Sequence, residues 1–438
     1  MKNIVSEHRI LALVISGVVA LVVGSAIVGS LLLYHVQKTP NPTVTTETSG
    51  CANSLTPKEK TLYVLSRPFS GKTVYISAVD TNGQERWAQK FATIAGPARG
   101  SLEEKDSLVY AFVTSYTQNL VKRQGRIVSQ VTNLTNTVAA YDANSGKKLW
   151  NFQAPANSLI DGMSTCNSIT YLWTGNTIYA YNAKNGNFLW TTNGNPLWTT
   201  NKLILLNTPR IVVTDNAIVF TSKGRDIDHT TIYALNPKKG TLLWQTDIPN
   251  RSQNGEHVAL SVTATDKAVY ASQFNKGFLQ KVQARSISNG KVLWNTSVNM
   301  KIDTNSIGFA STIVGNNVLY LYTSYTGVVA LNVNNGTHLW EGSNVNRFQP
   351  LEDRLYVTHA KVSDFCQLDP ITGKSQWCQS PIATNNPIEA VSNQTTLYIA
   401  SPTGVSALQK NNGKVSWVYK DKTFGAARML TYGLSLDY

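Results

Sequence analysis

The sequence is short of charge. Asp, Glu, Lys and Arg make up 15% of its 438 residues, against roughly 25% in an ordinary soluble domain. Asn, Thr and Ser take their place, giving a polar but weakly charged surface that suits an extracytoplasmic protein. The charge that exists is lopsided: 39 Lys and Arg against 25 Asp and Glu leave +14. Such a surplus suits a polyanionic partner, whether anionic lipid or an acidic polymer. The basic residues are scattered, and their densest cluster is Lys122, Arg123 and Arg126. No recognition helix, zinc-finger spacing or RNA-binding signature accompanies them, so nucleic acid is not expected as a partner.

The short motifs of catalysis are also missing. There is no G-x-S-x-G, no H-E-x-x-H and no phosphate loop. The six histidines do not cluster; His229, in DIDH (226–229), and His257 stand alone. No catalytic, cofactor-binding or metal-binding residue is assigned on these grounds. There are only four cysteines, and no two are adjacent. Outside the cytoplasm they read as disulfides. Cys366 and Cys378 flank the turn DPITG, and in paired antiparallel strands 366 faces 377 or 378, within disulfide range. Cys51 is then left for Cys166, which would pin the preceding segment to the body of the protein.

The first sixty residues carry their own signals. Residues 1–9 form a short basic tail, and residues 10–34 contain no charge. As a helix the uncharged run would measure about 37 Å, enough to span a hydrocarbon core of about 30 Å. It is long for a cleavable signal peptide. Lys2 and Arg9 precede it and only Lys38 closely follows, so the N-terminus is expected in the cytoplasm and the remainder outside. Residues 35–60, rich in Pro, Thr, Ser and Asn, read as a flexible stalk.

From residue 61 to 438 one feature organises the chain. The stretch AYDANSGKKLW (140–150) has seven imperfect copies, each a glycine followed four residues later by a tryptophan. The pairs are Gly83 and Trp87, Gly146 and Trp150, Gly186 and Trp190, Gly240 and Trp244, Gly290 and Trp294, Gly336 and Trp340, Gly373 and Trp377, and Gly413 and Trp417. The glycines recur on average every 47 residues or so. A period of about 40–50 residues with strand-forming composition is the signature of a propeller array. Each repeat offers about four short strands, A to D. Asp or Asn opens most C–D turns and glycine closes them. An alanine usually stands two residues before the turn (Ala140, Ala180, Ala234, Ala284, Ala330, Ala407), where its small side chain would let neighbouring sheets approach. The tryptophan is then free to wedge between blades. A calcium-loop reading of DANSG fails for want of carboxylates.

The first repeat has only two or three strands before Trp87, and residues 426–438 follow the last tryptophan. The tail is therefore expected to complete the first blade and close the ring.

AYDANSGKKLW resembles the tryptophan-docking motif A-x-D-x-x-x-G-x-x-x-W of the PQQ-like β-propeller family, and the resemblance covers about residues 61–438. It implies an all-β, eight-bladed propeller of four-stranded antiparallel blades. Quinoprotein alcohol dehydrogenases of this family hold pyrroloquinoline quinone and a metal ion, typically calcium, in a central funnel. Non-catalytic members, such as an outer-membrane-assembly lipoprotein, use the propeller as a platform for proteins. The dehydrogenase pattern includes adjacent cysteines and a set of Glu, Asn and Asp ligands, which this sequence lacks. The expected function is a membrane-anchored scaffold that binds a protein or polymer; a quinone-dependent dehydrogenase is the alternative.

The site would lie where the repeats differ. The long segments are 115–135, 191–208, 222–230 and 245–257, all B–C or D–A connections and hence on one face. Loops on a rigid scaffold carry recognition. Lys122, Arg123 and Arg126 fall in the first of these loops and Trp198 in the second.

Overall fold

The structure is a computed structural model. It describes residue 51 and residues 61–436, apart from 69–70, 124–125, 153–157, 175–176, 193–210, 224–228, 250–258, 276–277, 302–309, 324–326, 344, 352–353, 360–363, 380–388, 402–403 and 420–428. The expected membrane helix (10–34), nearly all of the stalk, and Trp198 lie outside the described residues. No helix among the described residues is long and apolar enough to cross a membrane.

Within the compact unit Val44–Tyr438, the described residues form eight four-stranded antiparallel sheets arranged as a propeller. Seven sheets are contiguous in sequence. Blade 2 is typical, with strands Ala98–Lys105 (A), Leu108–Arg123 (B), Arg126–Asp142 (C) and Lys148–Asn151 (D). The A strands of successive blades contact one another around the ring, so they form its inner edge and the D strands its rim.

The first blade is completed from the other end of the chain. Met429–Leu436 pairs antiparallel with Thr61–Pro68 and supplies strand A, as the leftover tail implied. Closure leaves strand B of blade 1 with a partner on both sides, removing an open edge that would template aggregation.

The turns follow the repeat. In blade 2 the Gly146 N–H donates to the Asp142 carbonyl at 2.9 Å, and five other C–D turns opened by Asp, Asn or Ser repeat this five-residue loop. The first is one residue tighter, with Gly83 N–H donating to Asp80 O at 3.0 Å. Gly146 has φ +68°, a conformation an L side chain resists, and the ring of Trp87 from the preceding blade lies 2.6 Å from where a Cβ would stand. Glycine is therefore required here twice over. The A–B turns lie on the same side: Ala143 N–H donates to Ser107 O, and Ala183 N–H to Ser168 O.

The alanines lie in the seams between blades: Ala140 is buried in the cluster that joins blades 2 and 3. Ala140 pairs with Tyr110 on strand B and with Trp150 on strand D, so it sits between two large rings of its own sheet. The tyrosine and tryptophan close over it with centroids 6.0 Å apart. Tyr63–Ala78–Trp87 and Tyr320–Ala330–Trp340 repeat the arrangement. Alanine is needed to clear this intra-sheet contact. In blade 7 the place is taken by a buried Gln367, which accepts from Trp377 Nε1–H at 3.1 Å and from the Tyr356 hydroxyl at 3.3 Å.

Most of the tryptophans are less buried than a full wedge would be. Trp244 and Trp340 are buried; the other six of the repeat are half-buried. Each D strand also bulges at the residue before the tryptophan: Ala140 faces Trp150 while Tyr141 faces Lys148, leaving Leu149 unpaired. The extra residue turns the tryptophan toward the next blade.

Both disulfides form. Cys366 and Cys378 are register partners with Cα atoms 4.1 Å apart, and Cys51 bonds Cys166 with Cα atoms 5.2 Å apart. Cys166 ends strand A of blade 3 beside the A–B turn, so residue 51 is held on the short-turn face.

Candidate functional site

The expected loop at 115–135 is mostly strand. Strands B and C of blade 2 run on past the body of the sheet, and Thr117–Arg123 pairs residue by residue with Arg126–Thr132. Thr117, Leu120 and Val121 before Gln124-Gly125 and Ile127, Val128, Val131 and Thr132 after it favour a hairpin. Strand A pairs with strand B only as far as Ser115, and strand D pairs with strand C only from Ala139. Among the described residues the extension is therefore a two-stranded ribbon with two open edges. Its seven registered pairs make it about 23 Å long at 3.3 Å per residue. Lys122, Arg123 and Arg126 stand at its tip, and Arg123 is the register partner of Arg126. No acidic residue occurs between Asp106 and Asp142.

Of the other long connections, 191–208 lies almost wholly outside the described residues, and the described parts of the remaining two are strand. Strand Leu242–Pro249 takes up the start of 245–257, and strands ending at Lys223 and beginning at His229 take up both ends of 222–230. Side-chain pairing across strands extends into both, which period-based reading assigned to loop.

The ribbon is rooted in a polar network that the sequence reading missed. Thr114 donates to Asn136 Oδ1 at 2.6 Å, and Ser115 and Thr135 hydroxyls lie 2.7 Å apart. Asn136 Nδ2–H donates to Ser158 O at 2.8 Å, tying the ribbon's base to the segment leading into blade 3. Beside it, Arg99 and Asp161 pair at 2.6 Å across the inner strands of blades 2 and 3. Burial raises the Asp161 pKa, and the Arg99 guanidinium opposes that rise. Arg99 Nε is buried without a partner among the described residues. Charged residues on inner strands of a charge-poor chain were the available signal.

Further along the same inner strands, Glu103 accepts the Thr165 backbone N–H at 2.7 Å. Glu103 is half-buried as a residue, but its carboxyl group is enclosed, and desolvation raises its pKa to about 7.

These groups offer hydrogen bonds and charge rather than reaction chemistry. Among the described residues, the acid–cysteine groups close enough to hold a metal are Cys51, Cys166 and Asp215, and Asp364, Cys366 and Cys378. Both are built on cysteines already joined in disulfides, which are poor ligands. The described residues do not fit a quinone and its metal ion. Cys366–Cys378 joins strands C and D, away from the ring's inner edge, and the inner-strand Asp161 is taken up by Arg99.

The repeat geometry and the sheet topology agree with sequence comparison. The family described as outer membrane protein assembly factor BamB matches residues 72–286 and 277–379, more than half of the sequence. The chain belongs to this family. A curated relative, outer membrane protein assembly factor BamB of Moranella endobia (strain PCIT), is 23% identical over 296 residues, covering 63% of this chain and 70% of the relative. Among solved structures, the computationally designed Ika8 protein aligns with a TM-score of 0.51 at 13% identity, covering 76% of this chain and 90% of that one. BamB from Moraxella catarrhalis aligns with a TM-score of 0.45 at 14% identity, over 73% of this chain and 85% of its own.

Proposed function

We propose that this BamB-family chain is a membrane-tethered, extracytoplasmic propeller that binds a protein of the cell envelope through its B–C and D–A face. The blade-2 ribbon is its main contact. The observation that carries the reading is the ribbon itself: two open edges, three basic residues at the tip and a rigid polar root. Open strand edges bind extended segments of other proteins by backbone hydrogen bonding, and the basic tip favours acidic ones. The name of the family, an assembly factor for outer membrane proteins, supports a protein partner. Residues 10–34 would provide the tether, with the N-terminus in the cytoplasm. An anionic wall polymer is a poorer fit, because three clustered cations bind a polymer weakly at physiological salt.

The test is site-directed photo-crosslinking of the full chain in native membranes. A crosslinker at position 122 or 123 should give one discrete protein adduct, and a crosslinker at 374, on a C–D turn of the opposite face, should not. Deleting 117–132 should abolish capture while leaving the melting temperature within a degree or two of wild type. Equal adducts from both faces, or capture that survives the deletion, would refute the assignment.

A further inference from the structure

The bulge that precedes each tryptophan leaves one side chain per blade unpaired at the rim, next to the C–D turn. In blades 2 to 5 that residue is Leu149, Leu189, Leu243 and Leu293, exposed by 44%, 44%, 41% and 57%. Phe188, beside Leu189, is 56% exposed. The equivalent places in blades 7, 8 and 1 hold Gln376, Ser416 and Arg86, all exposed. Blade 6 has a half-buried Leu339. At this position an exposed leucine thus recurs over four adjacent blades, blade 6 keeps a half-buried one, and blades 7, 8 and 1 are polar, although exposed Ile371 and Val415 lie nearby in blades 7 and 8. Isolated exposed leucines need no explanation, but an arc over four adjacent blades does.

The turns beside this arc are basic. Lys147, Lys184, Lys238 and Lys291 are all exposed there, one or more per blade. Alternating lysine and aliphatic side chains on one surface match a membrane interface, where apolar groups enter the headgroup boundary and lysines meet anionic phosphates. The same face holds Cys51, disulfide-bonded to Cys166 of blade 3. Sixteen residues (35–50) separate Cys51 from the uncharged run at 10–34, a reach of at most about 55 Å when extended. A second copy of the chain would bring like-charged lysines together, which disfavours self-association through this arc.

We infer that the short-turn rim of blades 2–5 rests on an anionic lipid surface. This tilts the propeller and turns the blade-2 ribbon away from the bilayer toward its partner. The inference rests on the tether reading of residues 10–34.

The experiment reconstitutes the full chain in nanodiscs of phosphatidylglycerol and phosphatidylethanolamine, and separately in detergent. Lysine acylation rates are then read by mass spectrometry. Lys147, Lys184, Lys238 and Lys291 should label at least threefold more slowly in anionic nanodiscs than in detergent, and Lys374 and Lys414 should not change. High salt should partly reverse the protection. L149S, L189S, L243S and L293S together should abolish it at an unchanged melting temperature; if that variant does not fold, reversing charge at Lys184 and Lys238 to Glu is the second arm. Uniform labelling at all six lysines in a chain retained by the nanodisc would overturn the inference. So would protection in detergent that grows with protein concentration, which identifies a second copy. A chain washed from the nanodisc by alkaline carbonate would instead refute the tether.

Discussion

The indole N–H of Trp417, in the last blade, donates to the carbonyl of Thr81, in the first, at 2.8 Å across 336 residues of sequence. Its ring also lies 2.9 Å from where a Cβ on Gly83 would stand. The same contact joins Trp87 to Ala143, Trp150 to Lys184, Trp244 to Ile287, Trp294 to Val333, Trp340 to Pro370 and Trp377 to Lys410. Only the seam of blades 3 and 4 departs from this: the Trp190 ring lies against Gly240, but its Nε1 is buried without a partner among the described residues. Ring closure is therefore made of the same parts as the other six seams, plus the strand Met429–Leu436. Truncation after residue 428 should leave blade 1 with three strands and an open edge at Thr61–Pro68. We expect a lower melting temperature and concentration-dependent association by light scattering. A truncated chain that stays monodisperse and melts as wild type would show that closure does not need the strand.

The tryptophans should not be equal in value. Trp244 is buried and bonded to Ile287 O at 2.7 Å, so Trp244→Ala should cost about 3–5 kcal/mol. Trp150 is half-buried, and Trp150→Ala should cost less, about 2 kcal/mol, since part of its ring is already in water. Gly146→Ala should cost about 2–4 kcal/mol through its positive φ and its clash with Trp87. Urea unfolding midpoints with unchanged slopes would rank the three. A ranking with Trp150→Ala above Trp244→Ala would mean that the seams, not burial, set the cost.

The glycine–tryptophan repeat made the blades legible, because the turn needs Gly146 at positive φ and the seam needs Trp87 against it. The closing strand was legible because the first repeat was short and the chain had residues left over. The candidate site was not. A period-2 pattern at the blade-2 hairpin is broken by glutamines and asparagines, which mask strand from a reader of composition; the pairing of Val121 with Val128 is what extends it. Arg99 and Asp161 are 62 residues apart and meet only because neighbouring inner strands lie side by side. The packing of Ala140 under Tyr110 was not legible in the repeat motif, because that ring comes from strand B, which the motif does not include.

The two disulfides should differ in worth. Cys51–Cys166 closes a sequence separation of 115 residues and Cys366–Cys378 one of 12. On chain-entropy grounds the longer loop stabilises by about 2 kcal/mol more. Cys51→Ser should therefore lower the urea midpoint further than Cys378→Ser, which breaks a bond within a hairpin already held by its own register. Equal shifts would indicate that structure persisting in the unfolded chain already restricts the longer loop.

Glu103 should make stability fall with pH. Its carboxyl group titrates near 7 in the folded protein, raised by burial and opposed by the Thr165 N–H and Lys105, with Glu104 adding to the rise. Its ordinary value is 4.5. Between these two values the folded state holds a proton that the unfolded state has lost, so the slope of unfolding free energy with pH is negative. The contribution is fully present below about pH 4.5, is lost as pH rises to about 7, and is constant above that. The loss amounts to at most about 3 kcal/mol at 1.36 kcal/mol per unit. Glu103→Gln keeps an oxygen for the Thr165 N–H and cannot ionise. The variant should match wild type at pH 4.5 and be more stable at pH 8, with the gap opening between pH 5 and 7 in a series of denaturation midpoints. A gap that is the same at every pH would show that Glu103 is not the titrating group.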